Sequence, residues 1–104
     1  MKVLLIYRGE GFEASKFINM PALLQPGMEI GTVLGGGISQ IGTEWFPVHS
    51  VSFHVNQRHY ILKLRNPIKC GLYRKSANQK LTSDDFAHQD WQIKNGPRIE
   101  PYSS

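Results

Sequence analysis

The chain has 104 residues, enough for one domain and too few for a second independent core. Hydrophobic residues make up 40% and charged residues 19%, which excludes a disordered chain. A chain of this size buries ~65% of its unfolded surface, so a core forms without staples. Cys70 is the only cysteine, which excludes an internal disulfide and a structural zinc site of the usual ligands and points to a reducing compartment. The first apolar run, Val3 to Tyr7, is shorter than a signal-peptide h-region or a bilayer span, so the expectation is a cytoplasmic protein with no membrane partner.

The net charge of +4 is unevenly placed, because no Asp or Glu occurs from Trp45 to Ser83. Arg58, Lys63, Arg65, Lys69, Arg74, Lys75 and Lys80 lie there, joined by His49, His54 and His59. Such a stretch attracts phosphate groups of a small molecule, a nucleic-acid backbone or an acidic partner. The alternative is a solvated basic surface.

In chain order, Val3 to Tyr7 is apolar, β-prone and bounded by Gly9 and Gly11, which predicts a buried central strand. Phe12 to Gln25 has a mixed pattern, with Pro21 and Pro26-Gly27 breaking any long helix, and reads as loop with at most a short helical turn. Met28 to Leu34 predicts a second strand, ended by Gly35-Gly36-Gly37. That glycine run reads as a turn ahead of a phosphate cradle, since both the Rossmann spacing and the P-loop lysine are absent.

Val48 to Arg65 predicts a hairpin. A turn on Gln57-Arg58 pairs Val55 with Tyr60, Phe53 with Leu62 and Val51 with Leu64, giving one buried face. A four-residue loop from Asn56 to His59 keeps the same register. The other face then carries Ser50, Ser52, His54 and Asn56 against Arg65, Lys63, Ile61 and His59, and Ser50 and Ser52 beside Arg65 and Lys63 can hold a phosphate through charge-assisted hydrogen bonds. Ile68, Leu72 and Tyr73 suggest a further strand past Pro67. Thr82 caps a short helix with Asp85 completing a capping box, Leu81 staples to Phe86, and Trp91-Gln92-Ile93 alternates as a last strand. Residues 97–104 read as a loose tail. The fold class expected is α+β: mainly antiparallel β-sheet with one short C-terminal helix, in a single domain.

No catalytic constellation emerges. His54 and His59 share a face but supply two imidazoles without a carboxylate, which is an incomplete metal site. Asp90 stands at a helix end where the dipole disfavours negative charge, so a loop amide or a ligand holds it. Trp45, Tyr73 and Trp91 are the aromatic residues left over for stacking once Phe53 and Tyr60 are placed in the core.

Thr82, Asp85-Phe86, Asp90-Trp91 and Ile93 stand at the spacing of a capped helix followed by an Asp-Trp pair and a β-branched residue. This pattern resembles the C-terminal signature of small phage proteins that counter Thoeris defence by sequestering nucleotide signals, and the first strand running into Gly9 is loosely similar to theirs. The resemblance implies a non-enzymatic homo-oligomer, without cofactor, that binds cyclic ADP-ribose-like or cyclic-nucleotide signals between subunits. The combined expectation is a phosphate-binding protein whose ligand contacts come from Lys63, Arg65, Arg74, His54, Ser52, Tyr73, Asp90 and Trp91. The alternative is a nucleic-acid-binding or protein-inhibitor module using the same basic face.

Overall fold

The computed structural model describes residues 1–36, 41–67 and 80–102. It is a single domain in which six strands form one curled, mainly antiparallel sheet, with one short helix near the C-terminus. The elements are β1 (Lys2–Gly9), β2 (Phe12–Asn19), β3 (Glu29–Leu34), β4 (Gly42–His54), β5 (His59–Leu64), α1 (Ser83–Ala87) and β6 (Gln92–Asn95). Their order across the sheet is β3-β4-β5-β1-β2-β6. All neighbours are antiparallel except β5 and β1, which run parallel with Val3 opposite Tyr60 and Tyr7 opposite Leu64. The central place expected for β1 is observed.

Side chains alternate between the two faces of a strand, and β1 sends Val3, Leu5 and Tyr7 into the core while Leu4, Ile6 and Arg8 take the outer face. Phe12 to Asn19 is a strand and not the loop that its mixed pattern suggested. It folds back on β1 through a two-residue turn, Glu10-Gly11, where Gly11 adopts φ +80°, a conformation that costs glycine little. Phe12 and Ala14 continue the core alternation, which fades from Lys16 onward as the strand runs to the sheet margin.

The β4–β5 hairpin forms, but two residues out of the expected register. Val51 faces Leu62, Phe53 faces Tyr60 and His54 faces His59. The loop is Val55 to Arg58, closed by the Arg58 N–H donating to the His54 carbonyl at 2.8 Å, with Arg58 at φ +56°. The His54 imidazole sets this turn: its Nδ1 accepts the Gln57 N–H at 3.2 Å. Because a two-residue slip preserves the alternation, Val51, Phe53, Tyr60, Leu62 and Leu64 still share a face. Burial along that face dies out toward the tip, however, where Phe53 is 49% and Val55 73% exposed.

Lower in β4 the buried residues are Glu44, Phe46 and Val48, of the opposite parity to Val51. A β-bulge between Val48 and Ser50 reconciles the two, with Val48 opposite Leu64 and Ser50 opposite Lys63. His49 is the extra residue, and the strand keeps one core face on both sides of it.

The core is an aromatic cluster closed by α1. Phe86, fully buried, stacks on Tyr7 at 5.1 Å, meets Trp91 edge-on at 5.1 Å and lies near Phe12 and Phe46. Burying one such ring contributes about 1.5–3 kcal/mol. The helix starts as expected: the Asp85 carboxylate accepts the Thr82 backbone N–H at 2.8 Å. It is tied to the end of β3 by the Gly35 N–H donating to the Asp85 carbonyl at 2.9 Å. Residues 97–102 are docked and not a loose tail: the Ile99 carbonyl accepts the Gly11 N–H at 2.9 Å, and Tyr102 packs on the outer face. The strand suggested around Ile68 to Tyr73 lies outside the described residues, as do Gly37 and Cys70. Among the described residues no helix is long and apolar enough to cross a membrane.

Candidate anion-binding face

The outer face of the sheet gathers cations from strands that are distant in sequence. Parallel pairing places Ile6 opposite Lys63, with Arg8 and Arg65 following on the same face one step further along. The bulge adds His49 and Ser50 from β4, Ser50 directly opposite Lys63. Tyr102 lies among them: its ring is stacked on His49 at 5.7 Å, with the Arg8 guanidinium 5.0 Å and the Lys63 ammonium 5.5 Å from its centroid. Cations over an aromatic face are held by the ring quadrupole.

One carboxylate enters this group. Glu13 accepts from Arg8 Nε at 2.9 Å, and that hydrogen bond holds the Arg8 guanidinium above its ordinary pKa. Among the described residues, neither Lys63 nor Arg65 meets a carboxylate. Arg65 Nε and His49 Nδ1 are buried without a hydrogen-bond partner there. Burial pushes the Tyr102 hydroxyl above its ordinary value of 10.0, with Arg8 pulling the other way.

No known protein family, curated protein or solved structure matches the chain.

The expected contact residues divide across the molecule. Lys63 and Arg65 are on the outer face as anticipated. Ser52 faces Ile61 and not Lys63, because the turn falls earlier, and Ser50 takes its place. His54 sits at the turn beside His59, their rings stacked at 6.2 Å, with its Nδ1 already committed to the turn. These two imidazoles have no third partner, since among the described residues no three His, Cys, Asp or Glu side chains converge. Asp90 adopts φ +63°, a left-handed conformation that aspartate tolerates, so it serves the turn from α1 into β6 on the helix side of the sheet. Trp91, 5% exposed, belongs to the core and offers no open ring face for a base. Tyr73 and Arg74 lie outside the described residues.

Arg8, His49 and Tyr102 are the members that sequence reasoning did not place in the site. Arg8 carried one signal, as the outer-face residue after Leu4 and Ile6. Nothing local marks Tyr102. Trp45 is on the same outer face, 44% exposed, and its ring lies across Gly31 of β3, where a Cβ would come within 2.7 Å of it. A face with several cations, a serine hydroxyl and accessible aromatic surface can bind an anion bidentately and leave a ring to stack beside it.

Proposed function

We propose that the protein binds a phosphate-bearing small molecule on this outer face and holds it without turnover, in the manner of a nucleotide-signal sponge. The observation that supports this is the convergence of Lys63, Arg8 and His49 around Tyr102, with Arg65 on the same face and, among the described residues, Glu13 as the carboxylate that meets the group. Phosphate oxygens would take the Arg65 guanidinium and the Lys63 ammonium, with the Ser50 hydroxyl donating a further bond. A sponge needs affinity without chemistry, and its oligomeric and anti-defence character rests on the resemblance at residues 82–93.

A second reading, a single-stranded nucleic acid on the same face, is favoured by Trp45, which extends the aromatic surface beyond the Tyr102 group. Thermal shift and calorimetry against inorganic phosphate, cyclic nucleotides, cyclic ADP-ribose isomers and short oligonucleotides separate the two. A mononucleotide ligand at about a hundredfold excess over its dissociation constant stabilises the fold by roughly 2.7 kcal/mol and depends weakly on salt. An oligonucleotide loses orders of magnitude in affinity between low and moderate salt. No binding by any phosphate compound overturns both readings.

A further inference from the structure

On the core side of the sheet, at the ends of β1 and β5, lies a cleft of about 530 Å³ that the outer-face site does not use. Its floor includes Tyr7, Phe12 and Leu81, all buried. Its wall includes Asn66, whose side-chain oxygen accepts the Tyr7 hydroxyl at 2.6 Å. With the Tyr7 hydroxyl donating to that oxygen, the NH2 group of the amide is the donor left to an occupant. The charges among the described lining residues are Glu10 and Lys80, which pair with each other at 2.7 Å. The volume falls within the range of small-molecule sites, and an apolar floor with a few polar groups at its wall, here Asn66, Thr82, Ser83 and Asn95, is their usual composition.

The geometry points to this cleft as a binding site for an uncharged, ring-bearing small molecule that carries an amide or carbonyl oxygen. The ring covers the floor formed by Tyr7, Phe12 and Leu81, and the oxygen accepts from the Asn66 amide. A carboxylate of the same shape is disfavoured, because the cleft buries its charge and its described lining offers no cation other than Lys80, which is paired with Glu10. The site stands independently of the phosphate reading, being on the opposite side of the sheet from Lys63 and Arg65.

The test is a titration of the full chain with benzamide, and with benzoate as its charged isostere, followed by amide chemical shifts. Benzamide is expected to give saturable shifts at Gly9, Gly11 and Asn66 and to bind about tenfold more tightly than benzoate, whose oxygens also accept from Asn66 but whose charge loses its hydration in the cleft. Asn66→Asp keeps the acceptor for Tyr7 but loses the donor, and is expected to weaken benzamide by a similar factor while the chain stays folded. Lys63→Ala is expected to leave benzamide binding unchanged, which separates this site from the outer face. Equal or tighter binding of benzoate, indifference to Asn66→Asp, or the absence of a saturable shift would overturn the assignment.

Discussion

Tyr102 stacks on His49 with ring planes 24° apart, so the C-terminal segment is pinned at the position where β4 carries its extra residue. The irregularity in the ladder and the anchoring of the tail are therefore one feature. A bulge residue is free of strict pairing, and its side chain can be aimed where an unbroken strand would not send it.

Deletion of His49 is expected to preserve the fold. Val48, Ser50 and Val51 would then alternate normally, with Val48 and Val51 still on the core face. The loss is the stacking contact with Tyr102, about 0.5–1.5 kcal/mol for a ring pair. Urea unfolding of the deletion variant measures it, and a variant that fails to fold would show that the bend at the bulge is itself required.

The docked tail is expected to be sensitive to alkaline pH. Burial raises the Tyr102 hydroxyl above its ordinary 10.0, so the folded state favours the protonated phenol. The resulting stability is complete below the unfolded-state value and is lost as pH climbs from there through the folded-state value. Tyrosinate absorbance in the wild type and in Tyr102→Phe isolates this group. A Tyr102 component that titrates at or below 10.0 would contradict the shift.

Two phenylalanines are expected to behave oppositely. Phe86→Ala empties the centre of the aromatic cluster and should cost about 3–5 kcal/mol, read from the shift in urea midpoint. Phe53→Ala removes a half-exposed ring that meets Tyr60 across the ladder at 4.8 Å and should cost no more than about 1 kcal/mol. A large loss at Phe53 would mean that another surface covers it in solution.

On the outer face, Arg65→Ala is expected to weaken a phosphate-bearing ligand by about 1.5–3 kcal/mol, the range for a hydrogen bond to a charged group. Lys63→Ala should act more mildly, and Ser52→Ala should change little, since Ser52 stands opposite Ile61. Calorimetry with the best compound of the phosphate panel gives all three values. Unchanged affinity in Arg65→Ala would move the anion site off this face.

Much of the fold could be read from local pattern: β1 from its apolar run, β3 from its position before the glycines, the helix start from Thr82 and Asp85, and β6 from alternation after Trp91. β2 escaped because Lys16 and Phe17 blur the alternation that Phe12 and Ala14 begin. β4 starts well before Val48, at Gly42, but Pro47 and the buried Glu44 look like interruptions of a strand. The observed hairpin register goes with a turn in which the His54 imidazole accepts the Gln57 N–H, a contact that turn-residue preferences do not encode. In the site, Lys63 and Arg65 were legible from charge and period. Arg8 and Tyr102 were not, because they reach Lys63 through parallel pairing and through a chain segment folded back from the far end.

The parallel contact between β1 and β5 also orders events in time. Each antiparallel hairpin closes a short loop, whereas Val3 meets Tyr60 only after most of the chain has been laid down. The β1–β2 hairpin and the β3–β4–β5 meander are therefore the early units of folding, and their seam is the late one. In refolding followed by pulsed hydrogen exchange, amides bonded across that seam should gain protection after those within the β1–β2 and β4–β5 ladders. Since Arg8 and Lys63 come from opposite sides of the seam, the proposed anion-binding face would be assembled in that same final step.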